Sequence, residues 1–172
     1  MKVYLAGVNT IEFVRLNLPI DKKYEILEDK MIEKLKENLR RAFSLTHDLV
    51  THLEEKSLTL DLPNLPSNLI SGQLWCIVGA RESYLNAIEA GEWKGFSCSL
   101  VTPDIKQSVL DALETSCQLL NRLNFENFSE SQIKLAFDLL EHEIQHHGQL
   151  IRYVYGNHLT FPESWHKRYT VE

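Results

Sequence analysis

A chain of 172 residues falls in the size range of one domain, and 44% hydrophobic with 24% charged residues is the balance of a globular chain with a core, which excludes a disordered tail. Eighteen basic against 24 acidic side chains give a formal charge of −6, so no positive field draws polyanions: nucleic acid and anionic membrane surfaces are not expected partners. Three cysteines are too few and of the wrong parity for a disulfide framework and fit a reducing compartment.

Residues 1–20 alternate apolar and polar in places and stop at Pro19, reading as a short strand or an irregular cap. They lack the basic start and unbroken apolar run of a secretory signal, and no run of about 18 apolar residues exists anywhere. The expectation is a soluble, cytoplasmic protein. From about Asp21 to Lys56, Ile32, Leu35, Leu39, Ala42, Phe43, Leu49, Val50 and Leu53 recur at spacings of three and four, the pattern of an amphipathic helix. Pro63 and Pro66 make Leu58–Asn68 a crossing loop. Ser67 or Asn68 is expected to cap a second helix from about Leu69 to Ala90, with Gly91 just past its end.

In the loop Glu92–Val101, Trp93, Phe96 and Leu100 are expected to anchor onto the helices. Thr102-Pro103-Asp104 reads as the start of a third helix, reaching about Leu123. Ser129 and Gln132 have the spacing of a capping box for a fourth helix from Glu130 to about Tyr155, ended by Gly156-Asn157. Four long helices, short links and little strand signal predict one all-α domain over 1–172, a four-helix bundle with its core at about 31–157.

The chemistry gathers on the fourth helix, where three of the seven histidines fall within six residues. His142 and His146 are about 40° apart around the helix and one turn removed in height, so both imidazoles can reach one metal ion. The letters His142-Glu143-Ile144-Gln145-His146 also spell the zincin motif HExxH, in which the glutamate is general base beside zinc. The helical wheel, however, turns Glu143 about 100° from His142 toward the middle of the apolar arc. There His147, one turn on, is its candidate partner, which makes the two a structural pair behind the metal. His158 and His166 lie in or beyond the closing loop, so no third histidine stands at a metzincin spacing, and a protease is the minor reading.

On the second helix Cys76 shares an inward stripe with Leu69, Ala80 and Ala87, with Gln73 nearly one turn before it. Arg81 falls toward the apolar arc; the expectation is that it snorkels to solvent, the alternatives being a pair with Glu143 or contact with an anionic substrate. Cys98 is expected in a loop near a pocket and Cys117 in the core. His47 and His52 are expected at the surface or edge, and Trp75, Trp93 and Trp165 as packing anchors.

Ser71-Gly72-Gln73-Leu74-Trp75-Cys76-Ile77, then His142-xxx-His146-His147-Gly148-Gln149, then Gly156 and Pro162-Glu163-Ser164-Trp165 resemble, in order and spacing, the DinB/YfiT-like superfamily over about residues 31–165. The resemblance implies a four-helix bundle, often paired as a homodimer, that binds a divalent metal through three histidines. His142 and His146 match the two of the last helix, and His147 stands where an arginine is frequent. The third histidine usually follows a tryptophan on the second helix, and here that position is Cys76. A Cys76/His142/His146 set is sound for zinc and leaves a position open, with nickel the other candidate; a lost site with Cys76 as a small buried residue is the alternative.

The activity implied is that of a metal-dependent hydrolase, or of a transferase of a low-molecular-weight thiol, acting on a small molecule. Arg81, Glu143, His147 and Gln73 would stand behind the ligands or face the substrate. The other readings are a small-molecule-binding or stress-associated bundle without metal and a structural homodimer.

Overall fold

The computed structural model describes residues 20–171 except 127, with side chains from residue 30 onward. Residues 1–19, where a short strand or irregular cap is expected, lie outside the described residues. Every regular element among those described is a helix, so the fold is all-α. None is long and apolar enough to cross a membrane.

Helix α1 spans Ile20–His52. Its buried positions Leu35, Leu39, Ala42, Phe43, Thr46, Leu49 and Val50, continued by Leu53 just past its end, form one stripe at spacings of three and four. It ends before the expected Lys56: Lys106 Nζ donates to the carbonyls of Thr51 and Leu53 at 2.7 and 2.6 Å, a cation held against the free C-terminal acceptors. A short 3-10 helix, Glu55–Thr59, follows and buries Ser57 and Leu58.

Helix α2 spans Ile70–Ala90 and is closed by Gly91 at φ 76°, a left-handed conformation that glycine adopts without steric cost. Neither Ser67 nor Asn68 caps it; its N-cap is Leu69, with no side-chain cap. The two polar side chains are engaged elsewhere. Ser67 Oγ accepts from the Leu62 N–H at 2.8 Å, and Asn68 Oδ1 accepts from Tyr153 and Gln73.

The loop after α2 is bonded along that helix, where Ser97 N donates to Ser83 Oγ and Ser99 N to Glu82 Oε2. It passes so close that a Cβ at Gly79 would collide with the Phe96 ring. Of its three expected anchors only Leu100 is buried, at 5% exposure. Trp93 and Phe96 remain 50% and 54% exposed, because they lie on the outer side of α2 against Tyr84 and Trp75.

Helix α3, Lys106–Arg122, starts later than expected. Thr102-Pro103-Asp104 forms a turn closed by Ile105 N–H to the Thr102 carbonyl, and the Thr102 hydroxyl donates to Ser108. Helix α4, Glu130–Gly156, opens on the expected capping box of Ser129 and Gln132. Gln132 Nε2 also donates to the Ile88 carbonyl at 2.7 Å, tying the start of α4 to the end of α2. Beyond Pro162 the chain forms a further helix, α5, Glu163–Tyr169, which packs on α1. Its Trp165 is wholly buried and donates its indole N–H to the Leu45 carbonyl at 2.6 Å.

Helices α1 and α2 each pack against both α3 and α4. The core divides into two apolar clusters. One holds Leu49, Leu53, Leu74, Ile77, Leu113 and Leu150; the other holds Leu35, Leu39, Leu85, Leu120 and Leu139. On all four long helices the residues between them are polar and buried: Thr46 on α1, Arg81 on α2, Ser116 on α3, and Glu143, His146 and His147 on α4. A polar layer thus crosses the interior at one level.

Candidate metal centre

Cys76, one turn beyond Gln73 on α2, faces His142 and His146, one turn apart on α4. One ligand atom from each of the three lies within 4.8 Å of the others. Cys76 Sγ stands 3.7 Å from His142 Nε2, close to the roughly 3.5 Å that separates sulfur and nitrogen on one tetrahedral zinc. The two imidazole centroids are 4.6 Å apart. His146 is only 7% exposed, while Cys76 and His142 are half-buried, so the cluster is walled on one side and reachable from the other.

Hydrogen bonding assigns the tautomer of His146. Gln73 Nε2 donates to Asn68 Oδ1 at 2.6 Å, which turns Gln73 Oε1 toward His146 Nδ1 at 2.7 Å. An amide oxygen only accepts, so Nδ1 carries the proton and Nε2 keeps the lone pair that a metal needs. The single Tyr153 O–H lies 2.7 Å from both Asn68 Oδ1 and the Asn68 carbonyl and is shared between them, fixing the far end of this chain of contacts.

Burial lowers the pKa of His142, and burial together with His142 lowers that of His146 to about 4, so both rings are neutral near pH 7. Burial pushes the Cys76 thiol up from its ordinary value, so the free site carries S–H, and an arriving ion must displace that proton. One soft sulfur with two imidazole nitrogens suits zinc and its neighbours and does not suit hard magnesium or calcium.

Behind the ligands runs the polar layer. Arg81 does not snorkel; it is 0% exposed and its guanidinium donates to both Glu143 oxygens, Nε to Oε2 at 3.0 Å and Nη2 to Oε1. Nη1 also donates to Ser116 Oγ and Nη2 to the Phe43 carbonyl, and Cζ lies 3.8 Å from the Phe43 ring centroid. An unpaired buried guanidinium would be prohibitively costly, and this set of partners is what keeps it inside.

The Thr46 hydroxyl donates to Glu143 Oε1, which leaves Thr46 Oγ1 to accept from His147 Nε2 at 2.8 Å; His147 Nδ1 then accepts from the Tyr169 hydroxyl at 2.6 Å. Burial alone would raise the Glu143 pKa, but Arg81 and His147 outweigh it and hold the carboxyl well below its ordinary value. Glu143 is therefore a fully buried, bidentate-paired carboxylate that cannot meet substrate, and the zincin base has no counterpart here. Arg81, Glu143 and His147 all stand behind the candidate ligands Cys76, His142 and His146, as does Gln73.

The remaining sequence candidates do not join the cluster. Cys98 is half-buried in the loop, its thiol 3.5 Å from the Trp75 carbonyl, and Cys117 is partly buried on α3 against the second apolar cluster. His52 pairs with Thr160 at the edge. Thr46, Ser116, Asn68, Tyr153 and Tyr169 are the partners that reading the sequence missed. Thr46 alone carried a signal, as a polar residue on the buried stripe of α1. Comparison with protein-family models, curated proteins and solved structures finds no match for the chain.

Proposed function

We propose that the chain is a divalent-metal-dependent enzyme of the DinB/YfiT-like type, a four-helix bundle in which Cys76, His142 and His146 hold the ion. Its activity would be hydrolysis of a small molecule or transfer of a low-molecular-weight thiol. The observation that carries this reading is the convergence of three ligand atoms within 4.8 Å, with Gln73 aiming the His146 lone pair. When bound, a zinc or nickel ion supplies Lewis acidity, polarising a substrate oxygen or favouring the anion of a small thiol. The chain's own residues do the rest. Two neutral imidazoles and one thiol that gives up its proton bind the ion, and the half-buried side of Cys76 and His142 leaves it approachable by a small molecule.

Metal analysis of the purified protein tests the proposal: about one zinc or nickel per chain is expected, lost in Cys76→Ala. Absence of stoichiometric metal, with no binding of Zn²⁺, Ni²⁺ or Mn²⁺ and no rise in melting temperature on adding them, overturns it. Homodimer formation is a further part of the proposal, supported by Trp75, Trp93 and Phe96, aromatics left 40–54% exposed on α2 and the following loop. Sedimentation at micromolar concentration decides it, a monomer being the contrary result.

A further inference from the structure

Each metal histidine of α4 is followed at once by a member of the buried layer: Glu143 after His142, and His147 after His146. One turn of helix therefore presents ligands on one face and anchors on the adjacent face, about 100° round the axis. The anchors are held from three other helices. Arg81 on α2 grips Glu143 with two donors, Thr46 on α1 bridges Glu143 to His147, and Tyr169 on α5 donates to His147. Arg81 sits five residues beyond Cys76 and also binds Ser116 on α3, so the same network registers the helix that carries the sulfur ligand. Among the described residues the Ser164 hydroxyl is the one buried side-chain polar atom without a partner, so every buried side-chain nitrogen and oxygen of the layer has at least one partner.

We propose that Arg81, Glu143, Thr46, His147 and Tyr169 form a positioning network for the metal ligands, fixing the roll of α4 so that His142 and His146 aim at Cys76. The inference rests on the metal-centre reading above. No hydrogen bond joins these side chains to the candidate ligand atoms; they act through the backbone turn that carries both imidazoles. A helix rolled by a small angle carries each ring nitrogen, well out from the axis, away from the common point, which is why anchors one residue beyond each ligand are effective.

The test uses the full chain loaded with zinc or cobalt(II), read by chelator competition and by the cobalt spectrum, whose thiolate-to-metal band and ligand-field bands report Cys76 ligation and coordination geometry. Thr46→Val removes the bridging hydroxyl at constant shape and leaves the Arg81–Glu143 pair in place. Tyr169→Phe removes one donor at the half-buried end of the network. Each is expected to weaken zinc binding about tenfold or more and to alter the ligand-field bands while the thiolate band persists. Thr46→Ser, which keeps the hydroxyl, restores both.

A lowered melting temperature with wild-type zinc affinity and cobalt spectrum would make the network merely structural and overturn the inference. If the wild-type chain binds neither ion, the metal-centre reading fails and this inference with it. If the wild type binds and both variants bind equally well, the inference alone fails.

Discussion

The proton inventory of three side chains sets how the centre responds to pH. His146, held at about 4, is neutral well below pH 7, burial also lowers His142 from its ordinary value, and the Cys76 thiol sits above its ordinary value through burial. Binding an ion near neutrality then releases one proton, from Cys76. Zinc affinity is expected to rise about tenfold per pH unit between about pH 6 and 8, and titration calorimetry in buffers of different ionisation enthalpy should count one proton. Cys76→Ala should flatten that slope.

In the metal-free chain His146 acts in the other direction. Its folded value of about 4 lies below the 6.5 of the free imidazole, so the unfolded chain takes up the proton first. The stability this group contributes is complete above about pH 6.5 and is lost as pH falls through 4, which melting temperatures across that window will show. Gln73→Leu removes the acceptor that assigns the His146 tautomer, and zinc affinity is expected to drop at least about tenfold without loss of helical circular dichroism.

At the scale of elements, local and distant signals divided the work. The Ser129/Gln132 capping box is a local device, and it was legible because the partners lie three residues apart. Ser129→Ala is expected to cost about 1 kcal/mol in denaturant unfolding, or more, because Gln132 also satisfies the Ile88 carbonyl of α2. Thr102-Pro103-Asp104 carried an equally good local signal for α3 and was overridden: the true first residue, Lys106, is recruited to the C-terminus of α1, whose carbonyls lie more than 50 residues away. The inward faces of Cys76, His142 and His146 followed from helical periodicity alone. The burial of Arg81 did not, since snorkelling is the default for a long cation and its partner Glu143 lies 62 residues off. Helix α5 was illegible because its seven residues are too few for a periodic pattern.

Among the described residues the polar layer lies between two apolar clusters, and in it side-chain hydrogen bonds link all four long helices. A buried ion pair adds little net stability when intact but is expensive to break. Arg81→Met leaves Glu143 inside without its cation, and a loss of about 3–5 kcal/mol in chemical denaturation is expected. The double variant Arg81→Met with Glu143→Leu should regain much of that loss, because no unpaired charge then remains.

The three tryptophans divide between environments in a way that gives the molecule its own optical reporters. Trp165 is sealed in the core, 5.0 Å from the His147 ring, whereas Trp75 is 40% exposed and adjacent in sequence to Cys76. Emission should therefore separate into a blue component that acrylamide does not reach and a red component that it quenches. Cobalt(II) arriving at the centre should quench the red component first, while the blue component should shift only when the fold opens. A Trp75→Phe variant that still loses red emission on cobalt addition would show that the signal comes from Trp93 instead.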